Sequence, residues 1–237
     1  MTDDDLRRAL AVVDLTRLER PDEAEAIDAL AAKAVTVAGR VAAICVYPEW
    51  IERVLGPGVP VAAVANFPAG EDDPDLAARE AGEAVEAGAA EIDVVVPWWA
   101  FLAGDGDAIG RTVAATRAAI GDAVGLKAIL ETGSLGSADA IRAAGEQALA
   151  AGAGFLKTST GKVGAGASLE ATRVLLEVVR DAGHGAVKAS GGIRTAEQAA
   201  EYLALADEVM GAGWATPERF RIGASSLVDD LLARLEP

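Results

Sequence analysis

The chain has 237 residues, with 37 acidic against 21 basic side chains and a formal charge of −16 at pH 7. That balance argues against nucleic acid or an anionic membrane as a partner, because both demand a basic footprint. Half of the residues are hydrophobic, 51%, and only 4% are aromatic; a core of alanine, valine and leucine suits helices lying close on a parallel sheet.

The chemistry that composition permits is narrow. A single cysteine, Cys45, leaves no partner for an intramolecular disulfide, and with one histidine, His184, the usual nitrogen and sulfur ligands of a zinc centre are missing. The start, Met1 to Arg8, is acidic without a long apolar core, so no secretory signal is expected. The apolar stretch from Val94 to Ala103 is too short to span a bilayer and contains Pro97. The expectation is a cytoplasmic protein in a reducing compartment.

In chain order, a strand is predicted over Leu10 to Asp14, followed by a helix from Glu23 to Ala38. Strands over Val41 to Val46 and Val61 to Asn66 come next, each stopped by a proline, Pro48 and Pro68, that cannot donate to a ladder. A helix over Asp75 to Ala87 leads to a strand from Glu91 to Val96, closed by Pro97. Then alternate a helix over Ala108 to Ile120, a strand over Leu126 to Glu131, a helix over Ala138 to Ala150 and a strand over Gly154 to Thr158. The last units are a helix over Leu169 to Asp181, a strand over Ala186 to Ala189, a helix over Ala196 to Leu205 opened by the capping box Thr195 with Gln198, and a strand over Phe220 to Gly223. Ala-Gly pairs ending at Gly88, Gly152 and Gly183 stand where helices must stop before the next strand.

Eight strands alternating with helices and no linker rich in Ser or Pro predict one (β/α)8 TIM barrel over residues 1–237, a single α/β domain. The alternative, an open doubly wound sheet, lacks a G-x-G-x-x-G after the first strand and any break that divides the chain. A barrel demands that reactive groups gather at the C-terminal strand ends. Asp14, Cys45, Asn66, Asp93, Glu131, Lys157, Lys188 and the Gly223 turn meet that demand, one from each strand.

The lysines carry the functional argument. There are five, and Lys127, Lys157 and Lys188 each interrupt an apolar strand, while surface cations are mostly arginine. A buried ammonium must be paired, neutralised or used. Lys157 and Lys188 on adjacent strands disfavour each other's charge, and desolvation acts in the same direction, so at least one is expected to be a neutral nucleophile suited to Schiff-base chemistry. A competing reading spends these lysines on Asp14, Asp93 or Glu131 in a buried ion network. Asp93, on the same strand face as Glu91, is placed either to move protons or to balance charge. The turns Ser190-Gly191-Gly192 and Gly223-Ala224-Ser225-Ser226 open helices after the last two strands, where barrels bind phosphate; with Gly161 and Lys162 they point to a phosphorylated substrate. His184 is expected to be exposed, Cys45 to be a small buried core residue in preference to one that faces substrate, and Trp98 and Trp99 to pack under a loop.

Several motifs occur together and in order: Asp14-Leu15-Thr16, Ala43-Ile44-Cys45-Val46-Tyr47-Pro48, Asn66-Phe67-Pro68, Glu91-Ile92-Asp93-Val94-Val95, Ile129-Leu130-Glu131-Thr132-Gly133, Lys157-Thr158-Ser159-Thr160-Gly161, Lys188-Ala189-Ser190-Gly191-Gly192-Ile193-Arg194-Thr195 and Gly223-Ala224-Ser225-Ser226. On these the chain resembles, nearly end to end, the deoxyribose-phosphate aldolases, class I enzymes that form a Schiff base. The resemblance implies reversible cleavage of 2-deoxy-D-ribose 5-phosphate to D-glyceraldehyde 3-phosphate and acetaldehyde, with no metal or organic cofactor. It implies Lys157 as the Schiff-base lysine, Lys188 as the residue that lowers its pKa and Asp93 as the proton-transfer group. Asp14, Cys45, Thr158 and Lys162 are implied around the substrate, and Gly161, Gly191, Gly192, Gly223, Ser225 and Ser226 around its phosphate. The implied partners are a phosphorylated deoxysugar and small aldehydes, with a homodimer as the assembly the class suggests. Some members carry a longer tail ending in tyrosine that takes part in proton transfer. This sequence ends at Pro237 soon after its last helix, so proton transfer is expected through Asp93 and water.

Overall fold

The computed structural model describes residues 1–56 and 58–235; the chain's end at Pro237 lies outside them. Eight strands form a closed parallel barrel: β1 (Val13–Thr16), β2 (Ala43–Val46), β3 (Val61–Ala65), β4 (Glu91–Val95), β5 (Gly125–Ile129), β6 (Phe155–Lys157), β7 (Ala186–Ser190) and β8 (Phe220–Ala224). Each strand pairs with its neighbours in sequence, and β1 closes the ring on β8. The (β/α)8 barrel is therefore the fold of this chain.

The helices are α1 (Asp3–Ala11), α2 (Ala24–Lys33), α3 (Ile51–Val54), α4 (Pro74–Glu86), α5 (Trp98–Leu102), α6 (Ala108–Ile120), α7 (Thr132–Leu135), α8 (Ala138–Ala150), α9 (Leu169–Ala182), α10 (Ala196–Met210) and α11 (Leu227–Leu235). Local chemistry sets their starts. Asp73, Ser137 and Ser168 accept backbone N–H bonds at the heads of α4, α8 and α9, Pro74 opens α4, and Thr195 with Gln198 forms the capping box of α10. Gly88, Gly152 and Gly183 all take positive φ after their helices. Among the described residues, no helix is long and apolar enough to cross a membrane.

Three expectations need correction. Leu10 and Ala11 belong to α1 rather than to the first strand. Thr2 and Asp5 make a capping box, the first turn is acidic, and Leu6, Ala9 and Leu10 form a buried stripe at helical spacing. The helix predicted to reach Ala38 stops at Lys33, where the β-branched run Val35-Thr36-Val37 gives way to a two-stranded ribbon, Val35–Thr36 against Gly39–Arg40. Conversely α10 runs past Leu205 to Met210, because nothing breaks it before Gly211, with φ 103.

The main core lies between barrel and helices. In α9, Leu175, Leu176, Val178 and Val179 face it, and β-strand residues such as Ile44, Ile92, Leu126, Leu156 and Val187 meet the helices from the other side. A second, smaller apolar cluster of Leu18, Ala43, Cys45, Tyr47, Ala62 and Val64 occupies the β2 and β3 side. The remaining strands hold buried charge.

Candidate active site

Alternate residues of a barrel strand point inward, and the parallel register brings those of adjacent strands side by side. Asp93 stands beside Lys127, Lys157 beside Lys188, and Lys188 beside Arg221. Their tips converge on two carboxylates. Asp93 Oδ1 accepts from Lys127 Nζ at 2.7 Å, and Oδ2 accepts from Lys157 Nζ at 2.8 Å and Lys188 Nζ at 2.7 Å. Asp14 Oδ1 accepts from Arg221 Nη1 at 2.6 Å, and its Oδ2 lies 2.6 Å from Lys188 Nζ. Glu91 completes the cluster, accepting from Lys127 and, at 3.1 Å, from Arg221.

The cluster pairs four basic side chains, Lys127, Lys157, Lys188 and Arg221, with three carboxylates, Glu91, Asp14 and Asp93. Buried charge is tolerable only when compensated, so the interior balances when one amine is neutral. Lys157 is the amine whose environment favours that state. Burial lowers its pKa, the Asp93 carboxylate opposes the shift, and the neighbouring Lys188 ammonium reinforces it. Lys188 is equally buried, but Asp14 and Asp93 together outweigh its desolvation and raise its pKa. Lys127 is likewise raised: burial opposes its charge, and Asp93, Asp14 and Glu91 overcome it. Desolvation would neutralise Asp93, yet three lysines hold it well below the usual carboxylate range. Cys45 lies beside this hub, Sγ 3.9 Å from Asp93 Oδ2, and burial pushes its thiol up, so it stays protonated.

Above the cluster opens a cavity of about 630 Å³ at the C-terminal strand ends, a size that suits a small ligand. Lys157 reaches its wall together with Thr160, Gly161, Lys162, Ser190, Gly191, Gly192, Gly223, Ser225 and Ser226. Besides Lys157, the wall's ionisable side chains are Arg17, Lys33, Lys162 and Arg194 against Glu19 and Asp229, a basic pocket in a strongly acidic protein. Glycine permits the close backbone approach here. Gly191 has φ 99, and a Cβ on it would stand 2.8 Å from Gly166 Cα. The glycine turn at Gly191-Gly192 and the segment Ser225-Ser226 just before α11 line this space, and glycine turns and helix starts are where anions bind.

The structure thus brings Lys157, Lys162, Gly161, Gly191, Gly192, Gly223, Ser225 and Ser226 around one cavity, with Lys188, Asp93 and Asp14 packed beneath Lys157. Thr158 is placed differently. It is fully buried, and its hydroxyl donates to Ser190 O at 3.1 Å and accepts from Ser190 N at 3.0 Å, so it ties β6 to β7 behind the wall. Cys45 also lies beneath the wall, in the apolar cluster. Asn66 does not line the cavity; it is buried and braces the loop after β3, donating to Val95 O at 3.0 Å and to Glu71 O at 2.9 Å. His184 is exposed. Trp98 packs against the core, while Trp99 is 45% exposed and donates to Gly70 O. Among the described residues, no three His, Cys, Asp or Glu side chains converge at metal-ligand spacing.

Sequence reasoning gave Arg221 and Thr160 no role of their own and read Ser190 only as part of the turn Ser190-Gly191-Gly192. Arg221 carried a usable signal, because it interrupts Phe220-Arg221-Ile222-Gly223 as the lysines interrupt their strands, and it is buried within the ion cluster. Thr160 had no such mark, since hydroxyls are ordinary in a loop.

Comparison with known proteins agrees with this fold. A deoxyribose phosphate aldolase from Aeropyrum pernix, described as a unique tetramer, superposes with a TM-score of 0.78 at 25% identity, over 97% of this chain and 92% of that one. A protein from Coccidioides immitis, provisionally named a deoxyribose-phosphate aldolase, superposes with a TM-score of 0.85 at 31% identity, over 97% of this chain and 86% of that one. A provisionally named deoxyribose-phosphate aldolase from Toxoplasma gondii ME49 shares the fold, with a TM-score of 0.89 at 23% identity over 98% of this chain and 94% of that one. The model of the DeoC/LacD family aldolases matches residues 8–232. With nearly its whole length matched, this chain belongs to the DeoC/LacD family and is an aldolase, a carbon–carbon lyase.

Proposed function

We propose that the protein reversibly cleaves 2-deoxy-D-ribose 5-phosphate to D-glyceraldehyde 3-phosphate and acetaldehyde through a Schiff base on Lys157. The observation that carries this reading is the position of Lys157: of the buried cluster's four basic groups it alone meets the cavity, and it alone has a lowered pKa. A neutral amine there attacks the aldehyde carbon of the open-chain sugar, and loss of water gives an iminium. The iminium draws in the electron pair of the C2–C3 bond as a base takes the C3 hydroxyl proton. Glyceraldehyde 3-phosphate leaves, and the enamine of acetaldehyde is protonated at carbon and hydrolysed.

Asp93 is the proposed proton-transfer group, directly or through one water. With the Nζ atoms of Lys127, Lys157 and Lys188 all charged around it, it would be a poor base. Because Lys157 is neutral when it attacks and neutral again in the carbinolamine and the enamine, Asp93 then has two ammonium partners, Lys127 and Lys188, rather than three, and its basicity climbs. Lys188 and Lys127 keep the carboxylate in place meanwhile. The basic wall and the turns at Gly191-Gly192 and Ser225-Ser226 supply the phosphate cradle, which places the reacting aldehyde over Lys157.

Incubation with acetaldehyde and borohydride, followed by peptide mass mapping, is expected to leave an ethyl group on Lys157. Lys157→Arg keeps the charge without the nucleophile and is expected to abolish glyceraldehyde 3-phosphate release in a coupled assay. A label on another residue, or turnover by the arginine variant, overturns the assignment; turnover of fructose phosphates in preference to the deoxysugar overturns the substrate.

A further inference from the structure

Glu131 takes no part in the ion cluster or in the steps above, yet it is held as few acids are. It is fully buried at the end of β5, with left-handed backbone at φ 52 and ψ 56, a region that non-glycine residues seldom occupy. Its carbonyl accepts from Ser134 N at 2.8 Å and Leu135 N at 3.2 Å, which starts α7. The side chain is thereby sent toward the β6 loop. Oε2 accepts both Thr160 N, at 3.1 Å, and Thr160 Oγ1, at 2.6 Å. Oε1 is buried with no hydrogen-bond partner among the described residues. Such an arrangement is costly for a group that merely fills space.

What Glu131 fixes is the polarity of a hydroxyl at the cavity wall. A threonine hydroxyl offers one hydrogen and two lone pairs. The hydrogen of Thr160 is spent on Glu131, through the short contact expected of a charged acceptor. One lone pair accepts from Lys162 N at 3.0 Å. A single lone pair remains for a ligand, and Thr160, Gly161 and Lys162 all line the cavity beside Lys157. Thr160 is therefore restricted to accepting: it favours a hydroxyl donor and repels a carbonyl or phosphoryl oxygen.

We infer that Glu131 is a positioning residue that locks Thr160 as a hydrogen-bond acceptor and so selects an acceptor aldehyde carrying a hydroxyl next to its carbonyl. The inference rests on the Schiff-base aldolase reading and goes beyond it by assigning part of the substrate selection to a side chain that does not touch substrate.

The test runs the reaction in the direction of bond formation, from acetaldehyde and two phosphorylated acceptors, glyceraldehyde 3-phosphate and its analogue without the 2-hydroxyl. The ratio of their kcat/KM values is the readout. The parent is expected to favour the hydroxylated acceptor by tenfold or more. Glu131→Ala is expected to bring the ratio to within threefold of one, chiefly through KM, while trapping of acetaldehyde on Lys157 persists. Glu131→Gln keeps a carbonyl oxygen for both Thr160 bonds and is expected to restore the parental ratio, which a role resting on charge would not allow. Thr160→Val is expected to collapse the ratio by itself, and the double variant to add nothing; this arm decides the matter if Glu131→Ala fails to fold. A ratio that survives in Thr160→Val or in folded Glu131→Ala overturns the inference. Absence of borohydride trapping in the parent strikes the Schiff-base reading instead. The inference is then judged by thermal shift, where glyceraldehyde 3-phosphate must raise the Tm of the parent more than the analogue does, and Thr160→Val must lose that difference.

Discussion

Lys157 and Lys188 donate to one and the same oxygen, Asp93 Oδ2, at 2.8 and 2.7 Å. They lie side by side in register on β6 and β7, but only Lys188 has a second carboxylate, Asp14 Oδ2 at 2.6 Å. The second partner decides which amine keeps its proton. With Asp14, coulombic attraction overcomes desolvation at Lys188; without it, desolvation wins at Lys157.

The pH dependence of kcat/KM follows from that asymmetry. Lys157 must be neutral to attack, so activity rises as pH rises through its folded pKa, which lies below the ordinary lysine value. Lys188→Met removes the repelling cation and strengthens the pull of Asp93 on the Lys157 proton, and both effects raise the pKa of Lys157. The acid limb of the profile should move up by about one pH unit, with about a tenfold loss near pH 7. Lys188→Arg, which keeps the charge, should shift it less. An unmoved limb in the methionine variant would show that Lys188 does not tune its neighbour.

Asp93→Asn should unfold the protein easily. Lys127, Lys157 and Lys188 would lose the carboxylate they share, and breaking a buried ion pair typically costs about 3–5 kcal/mol. The acid side of the stability curve gives a second reading. Because the folded pKa of Asp93 is depressed, its contribution is present above the unfolded value near 4 and is lost as pH falls through the folded value. Urea midpoints measured from neutral pH downward should therefore fall less steeply with acid in the asparagine variant than in the parent. Equal midpoints at neutral pH would mean that the cluster repacks around an amide.

Much of this was readable in the chain because the informative residues break local rules. Lys127, Lys157 and Lys188 stand in apolar strands, and the barrel turns that anomaly into convergence by placing them in neighbouring staves. Arg221 broke the same rule and was overlooked because the chemistry sought was that of a nucleophilic amine, which lysine supplies and arginine does not. Thr158 shows the limit in the other direction: its place in a motif does not reveal whether its hydroxyl faces the cavity or, as here, the backbone of Ser190. Glu131 was visible as a residue at a strand end, but its left-handed backbone and its grip on Thr160 depend on the loop after β6, and no spacing within β5 encodes them.

Gly223 controls the geometry of Lys188 by having no side chain. Its own φ is unremarkable, so the constraint is space: a Cβ there would stand 2.7 Å from Ser190 Cβ and 3.0 Å from Lys188 Cε. Gly223→Ala should displace Lys188 from Asp14 and Asp93, costing about 1–3 kcal/mol as overpacking does. It should also raise the acid limb of the pH profile in the direction of Lys188→Met. A crystal structure of the variant with Lys188 unmoved, or a parental pH profile, would refute the coupling.

The pair of Glu19 and Lys162 separates binding from stability. Glu19 Oε1 lies 3.1 Å from Lys162 Nζ at the cavity rim, and both side chains are accessible to water. An exposed pair of this kind contributes at most about 1 kcal/mol, so Glu19→Gln should leave the urea midpoint almost unchanged. For an anionic ligand the pair is a competitor, because Lys162 must leave Glu19 before it can turn to a phosphate or hydroxyl in the cavity, and Glu19 itself repels the phosphate. The variant should therefore bind the phosphosugar more tightly, with KM lower by about threefold in dilute buffer. Screening sharpens the test: with a Debye length of about 10 Å at 0.1 M salt and about 3 Å at 1 M, the advantage should fade as salt is added. A KM that rises in Glu19→Gln would instead show that Glu19 holds Lys162 in its working position, since only then does losing the pair cost more than losing the competitor saves.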